Sequence, residues 1–331
     1  MRQSAPLRRD IRAGWCAWGR HSAHQRQIPC NPEASVGPAY SNQTVVLREG
    51  PNSHMDTSGS GGRKRDSLHV DFGRTAEDYV VHRIGFPDSL FERLQRSGIG
   101  TPNQSVLDLG TGTGVLARGF ARGGSKVIGL DVSPVLIAES KKLDEQAGMK
   151  IDYLLGPAES IPLPAESVDV ISAGQCWHWF DRRAVLGESL RLLRPGGLLM
   201  IAAFDWIPFR RNVVEQTEEL IERHNPAQPK PHIRLGLGAG LYPSFVRDLS
   251  EGGLEDIQTW SYDHLVRYTH AGWRGRIRAS QGVGAMLSAR QVAAVDEELG
   301  HLLRTQFPHD PLQIPHRVWV VHGRKTARAS R

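Results

Sequence analysis

The chain has 331 residues, 39% hydrophobic and 23% charged, an ordinary balance for a globular protein with enough length for one large core. Its longest apolar runs, such as 197–204, are strand-sized and too short for a membrane helix, so no membrane partner is expected. The formal charge of +6 sits in residues 1–65, which hold ten Lys+Arg against four Asp+Glu; the remainder carries 31 of each, so no basic field marks the body and nucleic acid is not an expected partner.

Residues 1–65 mix Arg, Ser, Pro, Gly and Gln without a sustained period and read as a disordered basic extension, ending in the flexible Ser58–Gly62 stretch. Cys16, His21, His24 and Cys30 fall there at spacings that match no common zinc finger, so no metal is expected. Three cysteines make no disulfide framework, which favours a cytoplasmic setting. The use of 34 Arg against 7 Lys suggests a GC-rich genome, and Met55 is the expected native start, in preference to a transit peptide before it.

From Val70 the pattern alternates. Segments 76–83 and 87–96 read as helices, and 105–109 as a buried strand ending in glycines. A helix over 114–121 stops at Gly123-Gly124, and 126–131 is a second strand. Ser133 caps a helix with Pro134 at its first position, running to about Gln146. Strands follow at 151–155, 167–173 and 198–204, with a helix over 182–193 that Pro195-Gly196-Gly197 stops. Beyond Phe204 the rhythm changes: a helix at 213–223, a Pro- and Gly-rich loop at 225–240, a helix at 242–249, one or two strands over 257–268, a helix at 289–305 and a last strand at 318–322. Strands alternating with helices at this spacing predict an α/β fold with a doubly wound, mostly parallel sheet.

The segment Val106-Leu107-Asp108-Leu109-Gly110-Thr111-Gly112-Thr113-Gly114 carries the chemistry. A buried strand ends in an acid, then three alternate glycines, then a helix N-terminus with free N–H groups. The carboxyl end of a first strand is where open α/β sheets bind ligands. Asp131, 19 residues beyond Gly112, ends the second strand, where an acid can accept from both hydroxyls of a ribose. A dinucleotide loop spaces its glycines G-x-G-x-x-G to seat a pyrophosphate, and Gly112-x-Gly114-x-x-Ala117 could pass for a variant. Asp108 argues against it, because a carboxylate facing the loop repels phosphate and suits an ammonium group. S-adenosylmethionine (SAM) carries an ammonium and a sulfonium but no phosphate.

With these residues the chain resembles the class I SAM-dependent methyltransferase superfamily over about 70–321. Three further landmarks match in order: Gly129-Leu130-Asp131-Val132-Ser133 resembles the family's ribose-binding strand end, Gly156–Pro164 with Ser167-Val168-Asp169 its adenine loop and fourth strand, and Leu193-Arg194-Pro195-Gly196-Gly197 the turn into its fifth strand. Cys176-Trp177-His178-Trp179-Phe180-Asp181 is similar to small-molecule, trans-aconitate-methyltransferase-like proteins. Pro157 departs from the pattern, since many relatives place Asp there beside the adenine. The resemblance implies a seven-stranded Rossmann-like sheet, helices on both faces and an antiparallel C-terminal strand. It implies a methyltransferase domain over 66–325, lid and acceptor elements near 72–98 and 205–315, and a tail at 326–331. SAM would lie on Asp108, Gly110, Thr111, Gly112, Gly114, Asp131, Val132, Ala158, Glu159 and Gln175.

Gln175 follows the fourth strand, where the reactive end of the cofactor would lie. His178 is the candidate general base, weighed against a role in packing its loop. Tyr79 and Arg83 are lid candidates, Trp177 and Trp179 wall or core candidates. Trp206, Trp260 and Trp273 mark the acceptor region; of Arg274, Arg276 and Arg278, one near the pocket could grip an acidic acceptor, whereas a solvated basic helix face accounts for most of the three. The expected activity is methyl transfer to a small molecule, with a carboxylate or other oxygen as one acceptor class. Rivals are a nucleic-acid or protein methyltransferase, a nicotinamide oxidoreductase, and a non-catalytic SAM-binding partner.

Overall fold

The computed structural model describes residues 84–226 and 240–327. Seven strands form one sheet: β1 (Ser105–Leu109), β2 (Lys126–Asp131), β3 (Asp152–Leu155), β4 (Val168–Gly174), β5 (Leu193–Trp206), β6 (Glu255–Tyr268) and β7 (Leu312–Arg324), in the order β3-β2-β1-β4-β5-β7-β6. The pairs β1–β2, β2–β3, β1–β4 and β4–β5 are parallel, and β7 lies antiparallel between β5 and β6. This is the expected doubly wound, mostly parallel sheet with its antiparallel C-terminal strand. The helices are α1 (Asp88–Arg96), α2 (Val115–Arg122), α3 (Pro134–Gln146), α4 (Arg182–Leu192), α5 (Val213–His224), α6 (Pro243–Glu251), α7 (His270–Arg278) and α8 (Ala289–Gln306). The candidate helix 76–83, with Tyr79 and Arg83, lies outside the described residues, as do the 1–65 extension and most of the 225–240 loop.

Both sheet faces are covered, so the central strands read as continuous apolar runs rather than alternating ones. Val106, Val170, Met200 and Val320 point to one core with Leu90 of α1, Phe120 of α2, Val214 of α5, Trp273 of α7 and Leu299 of α8. Leu107, Ile171, Ile201 and Val321 point to the other, with Val185 of α4 and Leu249 of α6. Helix starts follow local chemistry: the Ser133 hydroxyl accepts from Leu136 N above Pro134 at the first helical position, and Ser288 with Gln291 forms a reciprocal capping box for α8.

Three elements differ from their sequence reading. β5 starts at Leu193, because Leu193 pairs with Val168 before the register shifts and Leu198 takes up Val170; Pro195-Gly196-Gly197 interrupts the strand instead of preceding it. β7 begins at Leu312, the stretch before Val318 being masked in sequence by Pro315 and His316, while β6 takes the single-strand form of its two expected readings. Helix α7 was expected only as a basic helix face carrying the three arginines, without bounds. It contains Gly272 and Gly275, both poor helix formers, and is held by burial of Trp273 and Ile277 at an i, i+4 spacing.

Arg274 and Arg278 of α7 both reach Asp296 of α8, Arg274 in a fork and Arg278 at 2.8 Å. They are structural ties rather than a solvated basic face. Asp296→Ala leaves both guanidiniums without this carboxylate on a partly buried face and is expected to cost about 2 kcal/mol in a urea melt; a loss under ~0.5 kcal/mol would show the pairs to be solvent-screened.

Candidate active site

The carboxyl edge of the parallel strands opens into a cavity of about 930 Å³, near the upper end of ordinary ligand pockets. Its floor comes from the end of each strand in turn: the Gly110–Gly112 loop after β1, Asp131 on β2, Gly156 after β3, Gln175 after β4, Phe204–Trp206 on β5 and Tyr268 on β6. Because β7 runs the other way, its early residue His316 reaches the same edge, paired with Trp206 on one side and His264 on the other.

Asp108 is almost completely buried, and both carboxylate oxygens are held: Thr111 Oγ1 donates to Oδ2 at 2.7 Å and Ser172 Oγ to Oδ1 at 2.7 Å. Burial pushes this carboxyl up to about 6; the two hydroxyls oppose the rise and the Asp131 charge adds to it. No described cation pairs with it. Asp131 accepts from two backbone amides, Gly112 N at 2.8 Å and Ser133 N at 2.9 Å, and so ties the glycine loop to the end of β2.

The three glycines have different surroundings: at Gly110, φ +56°, a Cβ would fall 2.9 Å from Cys176 Sγ. Gly112 has φ +56°, and a Cβ there would meet nothing nearer than the Gly110 carbonyl at 4.0 Å: that side is open space at the cavity. Its amide is held by Asp131 and its carbonyl accepts from Ser140 Oγ at 2.8 Å. At Gly114, φ +77°, a Cβ would fall 2.8 Å from both Arg118 Nη1 and Tyr153 Oη, which join Asp144 in a part-buried ion-pair and hydroxyl network. Gly114 is thus small for packing, and Gly112 is small toward the cavity.

Thr111 is buried at the wall, Val132 is 69% exposed at the mouth, and Ala158 is buried against the floor. Gln175 lines the cavity with φ +64°, an uncommon conformation for a non-glycine residue. It is held by its own amide to Ala202 O at 3.0 Å and by Nε2 donating to Phe204 O at 2.5 Å. Glu159 does not line the cavity; its carboxylate accepts from Asp181 N at 3.1 Å and ties two loops together. His178 is exposed, lies 4.9 Å from the Trp179 ring and is not part of the lining. Trp179 is at the wall, whereas Trp177 is buried core with Nε1 donating to Asp248 at 3.0 Å.

At the inner end of the cavity the sequence pointed to Trp206 and to one of three arginines, but not to the residues around them. Phe86, Phe204, Trp206, Tyr268, Arg276 and His316 surround that end. Trp273, behind them, packs edge-on against Trp206 and Tyr268 at 5.3 and 5.4 Å and bonds Thr217. Trp260 instead packs on Tyr262 under the Arg93 guanidinium, away from the cavity. His316 had no local signal, since its place depends on β7 entering the sheet antiparallel.

Among the described residues no helix is long and apolar enough to cross a membrane, and no three His, Cys, Asp or Glu groups converge as metal ligands. The Cys16–Cys30 set lies outside those residues.

Residues 107–201 match the family described as Methyltransferase domain. An uncharacterized methyltransferase of Schizosaccharomyces pombe is 32% identical over 192 residues, 57% of this chain and 73% of that protein. One of Mycobacterium tuberculosis is 33% identical over 135 residues, 41% of this chain, so that about half (52%) of the relative's length is spanned. A solved structure from Anaeromyxobacter dehalogenans, described as a type II methyltransferase, matches with TM-score 0.54 at 22% identity, covering 74% of this chain and 99% of that one; it supports the fold alone. With a third of the residues shared across most of the fission-yeast protein, and the domain match seated on the glycine loop and the strands behind it, the chain belongs to the class I SAM-dependent methyltransferase family.

Proposed function

We propose that the protein transfers a methyl group from SAM to an oxygen of a small molecule and releases S-adenosylhomocysteine. The observation that carries this reading is the open cradle at Gly112, set between two buried acids and continuous with a chamber walled by aromatic rings. The donor set fits SAM. Asp108 is a buried carboxylate without a counter-charge among the described residues, and an ammonium placed beside it would supply one. A pyrophosphate on the same loop would face two carboxylates at close range. Asp131 keeps lone pairs for ribose hydroxyls beyond those used by its two amides, and Val132 and Ala158 offer apolar surface to a purine.

When bound, SAM supplies a methyl already activated by the sulfonium, so the protein's share is alignment and exclusion of water. Gln175, braced against Phe204, lines the same cavity as the glycine loop and the aromatic residues. Phe86, Phe204, Trp206 and Tyr268 wall the inner chamber with aromatic rings, which would help to exclude water once an acceptor fills it. The chamber's walls favour a small acceptor over a polymer, and Trp179 at the wall is consistent with the trans-aconitate-methyltransferase-like turn that contains it. An acceptor carboxylate needs no base, so the outward placement of His178 takes nothing from the reading.

Isothermal titration of the purified chain with S-adenosylhomocysteine, with NADH in parallel, tests it. Saturable binding of the former alone is expected; binding of NADH alone, or of neither, overturns the assignment.

A further inference from the structure

The inner chamber carries one cation and one imidazole that the cofactor reading does not use. Arg276 lines it, half-buried, with its guanidinium 4.6 Å from the Trp206 ring centroid and a hydrogen bond to the Tyr268 side chain. Its neighbours on α7, Arg274 and Arg278, are committed to Asp296 outside the chamber. The nearest acids are engaged elsewhere: Asp205 accepts from the Tyr242 hydroxyl, and Glu218 accepts from Trp206 Nε1 at 2.8 Å. Among the described residues no carboxylate forms an ion pair with Arg276. Holding a guanidinium against a desolvated aromatic wall is costly, and burial pulls its pKa below the usual arginine range. Two acids nearby keep it charged without occupying it.

His316 stands across Tyr268 from Arg276, its ring stacked on Tyr268 at 6.1 Å and tilted on Phe204 at 4.9 Å. Nδ1 meets the Ile314 carbonyl at 3.0 Å, which fixes the tautomer with its proton on Nδ1 and leaves Nε2 as an acceptor. Burial, together with the Arg276 and His264 charges, pushes this imidazole down to about 4, so it stays neutral at physiological pH. No described residue donates to Nε2.

We propose that Arg276 and His316 form the recognition subsite for an anionic acceptor: the guanidinium takes a carboxylate, and His316 Nε2 accepts a hydrogen bond from a hydroxyl on the same molecule. Phe204, Trp206 and Tyr268 between them favour a flat molecule. The inference rests on the methyl-transfer reading only in taking this chamber as the acceptor's place.

The test is binding, not turnover. The full-length protein is titrated with 4-hydroxybenzoate, benzoate and 4-hydroxybenzamide, following tryptophan fluorescence and heat, with S-adenosylhomocysteine titrated separately. A charged hydrogen bond is worth about 1.5–3 kcal/mol, so the acid should bind at least about tenfold more tightly than the neutral amide. Arg276→Met should erase that preference, and Arg276→Lys should restore part of it. His316→Leu should erase the advantage of 4-hydroxybenzoate over benzoate while the acid preference remains. Unchanged S-adenosylhomocysteine binding in each variant shows that the fold is intact. Equal binding of acid and amide, an equal loss of both in Arg276→Met, or no saturable binding of any probe overturns the subsite. Failure of S-adenosylhomocysteine to bind the wild-type protein defeats the cofactor reading instead, and the acid preference is scored independently of it.

Discussion

Asp108→Asn is expected to make the protein more stable and less able to bind S-adenosylhomocysteine. The folded protein holds this carboxyl at about 6 against an ordinary 3.8, chiefly by desolvation, a difference on the order of 1–3 kcal/mol. The sign follows from proton binding. A carboxyl raised in the folded state binds its proton more tightly there, so the folded state loses stability as pH climbs from about 3.8 to about 6, and the full cost stands above that window. Asparagine has no charge to desolvate, and the Thr111 and Ser172 hydroxyls can rotate to meet its amide. Urea melts of the two proteins should nearly coincide at pH 4 and diverge in favour of the variant at pH 7. The cost of ionising Asp108 is what a bound ammonium would offset. Ligand affinity of the wild type should therefore rise with pH up to about 6 and then level off, while that of the variant stays flat and at least about tenfold lower at pH 7. A variant that binds S-adenosylhomocysteine as the wild type does would remove Asp108 from the cofactor site, whatever its melting behaviour.

The strand ends near the glycine loop were legible because each depends on local sequence: an apolar run, an acid, glycines at alternate positions, a helix start. Asp108, Thr111, Gly112, Asp131, Val132, Ala158 and Gln175 all line one cavity for that reason. Glu159 and His178 carry equally suggestive chemistry but sit on loops, and loop direction is set by tertiary bonds such as Glu159 to Asp181, which no short-range pattern encodes. The inner chamber was only partly legible for a related reason: Trp206 and one of three arginines were expected at the acceptor, but Tyr268, His316 and the choice of arginine were not. Tyr268, Arg276 and His316 come from three elements after Phe204, and only the antiparallel insertion of β7 brings His316 beside Trp206. Arg274, Arg276 and Arg278 are alike in sequence, two residues apart on a helix. Asp296 claims the outer two and leaves the middle one at the cavity.

Gly112→Ala and Gly114→Ala should separate a glycine that makes room for a ligand from one that makes room for the protein. Both have positive φ, so either substitution carries backbone strain of about 1 kcal/mol. At Gly112 that is nearly the whole stability cost, because the added methyl meets no neighbour inside ordinary contact distance. The methyl would instead stand in the cradle, and S-adenosylhomocysteine affinity should fall tenfold or more, about 1.4 kcal/mol or above. At Gly114 the methyl collides with Arg118 and Tyr153 at 2.8 Å, and relief requires moving the network they share with Asp144. That variant should lose about 2–4 kcal/mol of stability, strain and overpacking together, with a smaller effect on affinity in the fraction that remains folded. Paired urea melts and titrations of the two variants read both quantities. If Gly112→Ala binds the ligand normally, the open face of the loop is not where the cofactor lies. If Gly114→Ala is as stable as Gly112→Ala, the Arg118–Asp144–Tyr153 network yields more readily than its burial implies.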